Sequence, residues 1–301
     1  MAFKFGTQKS LGLGIIGGGA ILKPQDVFAI LAQPANAMQA AINSLPFSPD
    51  IFIGKDRVAA GDWSWRDSLT GLNNTLASNT TAAQAAWPGY SGTNNRIEYA
   101  FKQQAGVIWR VTWTGDGTSN RQIPHGLGVV PGMVIVKRRS TGSFWYVYHA
   151  STGFGKSLYL NRTDAVSTYS GEWPSANTAT AISIGTDINT AGETFVAYLF
   201  AHDPSADGIV QCGSMAGPTA TVTLGWPPQF LLFKKTDSAE QWFIIDTARG
   251  WRSTGSDPSL SPNNSDAELS AVEFGNPTAT GFQANNLGTG SYIYLAIRAP
   301  Y

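Results

Sequence analysis

Short apolar runs broken by turn residues recur through most of the chain, and they are too short for ordinary helices. Residues 51–53, 133–136 and 230–233 are apolar and mostly β-branched or aromatic, each preceded by a proline and followed closely by a lysine. Such runs read as strands. Because both of their faces are apolar, they read as strands covered on two sides. A turn follows, as in residues 140–142 or 236–238, and the next run alternates. Trp145, Val147 and His149 point one way, Tyr146 and Tyr148 the other. The matching face elsewhere carries Trp63, Trp65 and Asp67, or Trp242, Ile244 and Asp246. Each set closes on an aromatic strand, residues 195–200 or 292–297.

This succession returns at fixed spacing. Pro131, Lys137, Trp145 and Gly153 precede Pro228, Lys234, Trp242 and Gly250 by 97 positions without a gap. They follow Pro49, Lys55, Trp63 and Gly71 by 82. Phe195 and Val196 match Tyr292 and Ile293, again 97 apart. Asn79 precedes Asn161 by 82 and Asn263 follows it by 102, which implies a short insertion. Internal repeats decide architecture before any single element does. The expected fold is all-β: tandem β-sandwich repeats, jelly-roll or lectin-like, behind a short, partly helical N-terminal arm. The arm covers residues 1–48, a truncated first repeat 49–104, and two full repeats 105–204 and 205–301. The first is shortened because 13 residues separate Ala83 from Ile97, where 30 separate Ala165 from Val196. Trp63, Trp145 and Trp242 are expected at equivalent buried positions.

Within the arm, residues 34–45 form the best helix of the chain. Pro34 suits a first helical position, Met38, Ile42 and Leu45 share a face, and Pro46 ends it. Residues 26–32 read equally as a helix capped by Asp26 or as a buried strand. Lys4 and Lys9 ahead of an apolar run, with Ala35, Asn36 and Ala37 as a cleavage box, imitate a signal peptide. Glycines weaken any helix in that run, and it falls short of the roughly 20 residues that a membrane span needs. Neither a targeting segment nor a membrane span is expected. Gly12, Gly14 and Gly17 fit the G-x-G-x-x-G dinucleotide pattern. That motif works only between a buried strand and a helix whose N-terminus holds the pyrophosphate. Polar residues 7–10 and Pro24 deny it both, so the stretch reads as an extended arm without a cofactor.

Composition narrows the chemistry. With 20 basic and 20 acidic side chains the net charge is zero, which leaves no electrostatic footprint for nucleic acid. Charged residues are 13% of the chain against about 25% in ordinary domains, so much of the surface is expected to be buried or shared. Cys212, the lone cysteine, permits no internal disulfide and reads as a small buried hydrophobe. His125 sits in a turn-rich approach to a strand and is expected to bond nearby backbone. His149 shares a repeat position with Asp67 and Asp246, which suggests a polar strand end rather than a catalytic base. His202 follows a closing strand and is expected to be solvated. Acids such as Asp116 are isolated in turns, whereas a glycosidase needs two about 5–10 Å apart. Asp203 and Asp207 are weak candidates for a loop calcium site. Asn73, Asn79, Asn161 and Asn263 all lie in N-x-S/T sequons. Three of them share one repeat position and read as turns in which the side chain bonds its own backbone. No catalytic, cofactor, metal or ligand-binding residue is assigned.

Ile123, Pro124, His125, Gly126, Leu127 and Gly128, running on to Pro131, Gly132 and Met133, resemble a family of tailed-bacteriophage virion proteins. So do Trp242 and Phe243 with Arg249, Gly250 and Trp251, residues 263–267, and residues 278–282. The family comprises tail-fibre-like or minor structural proteins built from repeated β-rich modules, and the resemblance covers residues 49–301. It implies a non-enzymatic virion component, assembled in the host cytoplasm, whose modules serve assembly and attachment to a host-surface glycan. It also implies a homo-oligomer, a trimer first. The alternatives are a carbohydrate-binding module or glycan depolymerase, and a capsid decoration or head-fibre protein. Residues 1–48 are expected to dock on another virion protein or a sister subunit. Phe3, Phe5, Leu11, Leu13, Ile15 and Ile16 would otherwise be costly exposed surface.

Overall fold

The apolar runs become the central strands of three sheets built alike. The computed structural model describes residues 15–16, 20–252 and 255–301. The protein is all-β, with one α-helix among the described residues, Ala35–Asn43 (α1). The first sheet contains Phe28–Pro34 (β1), Ile51–Asp56 (β2), Ser64–Asp67 (β3) and Asn95–Phe101 (β4). The second contains Ile108–Thr114 (β5), Pro131–Arg138 (β6), Trp145–His149 (β7) and Thr194–Ala201 (β8). The third contains Val210–Gly217 (β9), Pro228–Lys235 (β10), Trp242–Asp246 (β11) and Gly290–Arg298 (β12). Over these four strands the orders coincide: β1-β4-β2-β3, β5-β8-β6-β7 and β9-β12-β10-β11, the second sheet running on past β7 through Lys156–Tyr159 and Ser167–Thr168. Register coincides too, since Lys55, Lys137 and Lys234 lie opposite Ile97, Val196 and Ile293.

Alternation along the strands sorts their side chains. Ile51 and Ile53, Met133 and Ile135, and Phe230 and Leu232 face one buried cluster, joined by Trp63, Trp145 and Trp242. All three tryptophans are fully buried. The sheets thus share a common core instead of each closing a separate jelly roll around its own tryptophan. Their outer faces are covered one by one. Arg121–Pro124 and Ala181–Ile184 close over Val134, Val136, Tyr146 and Tyr148 of the second sheet. A three-stranded sheet of Ala220–Thr223, Gly281–Ala284 and Gly275–Thr278 covers the third. On the first sheet α1 packs against β1 and β4, with Met38 fully buried. The shortened first repeat lacks the residues for a strand cover, and the helix takes that place.

Polar groups lock the sheets to one another in a ring. Asn79, Asn161 and Asn263 each accept the backbone N–H of their own unit's tryptophan through Oδ1, at 2.9, 2.9 and 3.0 Å. This corrects the expected self-bonded turn: the start of the tryptophan strand holds a buried donor, and the asparagine reaches across to meet it. Two residues before each asparagine, a carbonyl accepts an indole N–H from another unit. Ala77 takes Trp145, Tyr159 takes Trp242 and Ser261 takes Trp63, at 3.0, 2.9 and 2.9 Å. Two residues after it, a carbonyl accepts a buried lysine of that same unit. Thr81 takes Lys137, Thr163 takes Lys234 and Ser265 takes Lys55, at 3.2, 3.1 and 2.8 Å. The second unit therefore leans on the first, the third on the second, and the first on the third.

The expected docking arm needs correction over residues 24–48. The ambiguous stretch 26–32 resolves into a 3-10 turn, Pro24–Asp26, followed by strand β1. Along its whole length β1 pairs with β4, from Phe28 opposite Phe101 to Pro34 opposite Asn95. Strand β4 needs a backbone partner on that side, as β8 and β12 have in β5 and β9. The anchors Pro49, Lys55 and Trp63 begin one strand inside the unit, so a boundary at residue 49 cuts off its first strand. Phe3, Phe5, Leu11 and Leu13 lie outside the described residues.

Two measurements test this frame. Trp145→Ala should cost about 3–5 kcal/mol in urea unfolding, as large-to-small changes in cores do. Asn161→Ala should cost about 1–3 kcal/mol, because the Trp145 N–H is left buried without an acceptor. The second measurement is pH dependence. Desolvation lowers the ammonium groups of Lys55, Lys137 and Lys234 from 10.5 to about 8. Between these values the unfolded chain binds more protons, so the lysines make stability rise with pH. Cys212, which burial pushes up, opposes them with one proton against three. Above about pH 10 the buried phenols of Tyr99 and Tyr198, also raised by desolvation, turn the curve down. Urea midpoints should pass through a maximum in this range, and Lys137→Met should flatten the rising limb.

Candidate functional site

The residues singled out from the sequence are spread over the molecule and serve its frame. His125 accepts the Leu127 amide on Nδ1 at 3.2 Å. His202 is exposed, and its Nδ1 accepts the Cys212 amide at 3.2 Å. The Cys212 thiol beside it is buried, 3.6 Å from the Ala201 carbonyl oxygen. Burial raises its pKa, which keeps it a thiol rather than a nucleophile. Asp116 accepts the Thr118 amide within its own loop and an Asn189 amide proton from the turn after Ile188. Asp203 accepts the Ser205 amide, Asp207 is exposed, and Asn73 offers its backbone carbonyl to the Trp87 amide. Gly12, Gly14 and Gly17 lie outside the described residues. Among the described residues no group of three His, Cys, Asp or Glu is placed to hold a metal ion. None of the described helices is long and apolar enough to cross a membrane.

His149 shows why three residue types share one position. It is fully buried, and its Nε2 donates to the Tyr294 carbonyl oxygen at 3.0 Å. Its counterpart Asp67 accepts the Tyr198 hydroxyl, and Asp246 accepts the Tyr99 hydroxyl, both at 2.8 Å. Tyr99 and Tyr198 occupy the register position held by Leu295 in the third unit. Where the neighbour presents a phenol, the site is an acceptor carboxylate; where it presents leucine, the site is histidine, which turns to the backbone. Desolvation lowers the His149 pKa to about 4, so the ring is neutral.

The strongest local chemistry lies on the outer face of the first sheet, among residues that sequence reasoning passed over. Arg66 on β3 donates from Nη2 to Glu98 on β4 at 3.1 Å and to the Tyr90 hydroxyl at 2.8 Å. Its guanidinium carbon lies 3.7 Å from the Trp87 ring centre and 4.8 Å from that of Phe52, a cation–π arrangement. Arg96 approaches the second Glu98 oxygen at 3.6 Å. Burial pushes the Glu98 carboxyl up, against the pull of the two arginines. Register makes the group exceptional. Arg66 corresponds to Tyr148 and Ile245, and Glu98 to Ala197 and Tyr294, all of them members of the apolar outer cores. Gly54 corresponds to Val136 and Phe233, and a Cβ there would collide with the Glu98 carboxylate. Aligning the three repeats would have exposed this: a charge in an otherwise apolar column, with a glycine opposite. Beside the pair opens a cavity of about 630 Å³ between α1 and the Trp87 loop.

A family described as a domain of unknown function (DUF7483) matches residues 100–299. No curated protein and no solved structure matches the chain.

The buried pair can be tested through stability alone. Removing one partner of such a pair costs about 3–5 kcal/mol, whereas replacing both with packed apolar groups is often neutral. Glu98→Ala should therefore destabilise the protein strongly. Combining it with Arg66→Tyr, which installs the second unit's residues, should recover most of the loss in urea unfolding.

Proposed function

We propose, for a chain that belongs to the DUF7483 family, a non-enzymatic structural role in a tailed-bacteriophage virion, as a tail-fibre-like or minor tail protein with a part in host-surface attachment. The observation that carries this reading is the closed ring of three sheets. Lys55, Lys137 and Lys234, and the indoles of Trp63, Trp145 and Trp242, each donate to a neighbouring unit's carbonyl. Such a body resists shear and local opening, which suits a particle component. The same use of polar groups supports the non-enzymatic part, since His149, Asp67 and Asp246 hold units together and face no cleft. The repeated surfaces, joined in one chain, also suit assembly into a larger symmetric object, a homotrimer first.

Mass spectrometry and immunogold labelling of purified particles test the role directly. The protein should appear at fixed copy number in tails, and its absence from particles would sink the reading. Light scattering of the purified chain should give the mass of a trimer. Incubation with polysaccharide should release no reducing ends; a measurable rate would favour the depolymerase alternative.

A further inference from the structure

We propose that the cavity between α1 and the Trp87 loop binds an acidic saccharide, with Arg66 holding its carboxylate. The inference deepens the attachment half of the reading above and rests on it only for biological purpose. Of the residues lining the cavity, Arg66 alone is charged. Both of its hydrogen bonds to Glu98 and Tyr90 use Nη2. Nε is buried without an acceptor, and Nη1 makes no hydrogen bond to any described residue. Arg66 is itself 3% exposed, so a cation is held at the cavity wall with unused donors. Arg96, which approaches the other Glu98 oxygen, also faces Asp56, so Arg66 is the cation left with free donors. Its unmet demand is for an anion.

The rest of the lining favours a sugar over other carboxylates. Half-buried Trp87, one ring face of which lies on Arg66, joins Ile42 and Leu72 in supplying apolar surface of the kind against which the C–H face of a pyranose packs. Gln39 and Asn43 stand one helical turn apart and are bonded through Gln39 Nε2 and Asn43 Oδ1 at 3.0 Å. That contact leaves Gln39 Oε1 as an acceptor and Asn43 Nδ2 as a donor, a pair suited to hydroxyl groups. Asn73 adds a third amide on the opposite wall. A volume of about 630 Å³ falls within the range of small-ligand sites. The other two units have no counterpart of this charge pair, because Tyr148, Ala197, Ile245 and Tyr294 fill the equivalent positions. A unit that departs from its siblings by replacing apolar contacts with a buried ion pair gives up packing that stability alone would favour. Binding supplies the reason.

The test uses the full chain. Calorimetric titration with glucuronic-acid- and sialic-acid-containing oligosaccharides, their methyl esters and their neutral counterparts separates charge from sugar. At least one acidic oligosaccharide should bind, and esterification should weaken it at least tenfold. Trp87→Ala and Asn73→Ala, both at the surface of the cavity, should each weaken it at least fivefold while circular dichroism stays unchanged. Binding should also fall as salt is raised. The proposal is overturned if neither acid binds, if neutral sugars bind equally well, if a glutamate-rich peptide binds in place of the sugars, or if Trp87→Ala leaves affinity unchanged. Particles that contain the protein while the purified chain ignores acidic sugars would refute this inference and leave the structural role standing. A chain that binds them but is missing from particles would do the reverse.

Discussion

A lysine ammonium group taken out of water must find acceptors, and in this protein one acceptor of each lysine comes from a neighbouring unit and the rest from its own. Lys55, Lys137 and Lys234 are fully buried at one register position. Each reaches a carbonyl that its own sheet does not own. Leaving such a group unpaired in a core is far more costly than leaving a neutral donor unpaired. Separation of two sheets would take one acceptor from a lysine, which keeps only those of its own unit, and would strip an indole N–H of its partner. The shared apolar cluster supplies the bulk of the attraction, which is not directional. The ring of carbonyls fixes the angle and height at which the sheets meet.

Because the inner faces carry this common load, the outer faces are free to diverge. The second sheet is closed by a strand pair, the third by a small sheet, and the first by a helix. Strand covers bring their own apolar residues and make apolar layers around Trp173 and Phe282. A single short helix covers less, and the first unit is left with a wall of charge and a hollow beside it. The same distinction explains why the repeats differ little in their anchors and much between them.

The inner frame was legible in the sequence because it repeats without gaps. Proline, lysine, tryptophan and asparagine at constant spacing correspond to groups with fixed partners, and the alternation of Trp145, Val147 and His149 against Tyr146 and Tyr148 separates two real cores. What escaped was whatever depends on a second segment. The asparagine pattern gave a position but not the distant amide it serves. Strand β1 carries no anchor of its own, since an edge strand is recognised mainly by the neighbour it pairs with, and so the sequence alone reads it as part of an arm. Arg66, Glu98 and Gly54 become a site only when register sets them against their apolar counterparts.

Closure of the ring has a consequence for the order of events during synthesis. The Lys55 ammonium group meets the Ser265 carbonyl across 210 positions of chain. The second and third units can find their predecessors as they emerge, because Thr81 and Thr163 are already made when Lys137 and Lys234 leave the ribosome. The first unit cannot do so. Its lysine and Trp63 wait for a loop translated 210 and 198 positions after them, with one flank of the growing core open until then. Contacts this distant in sequence are slow to form, and an exposed apolar flank on a nascent chain is an invitation to wrong partners. The polypeptide is therefore most vulnerable to misassociation just before its third sheet is complete, and a chaperone engaging it would find its target on the face of the first sheet that the third will cover.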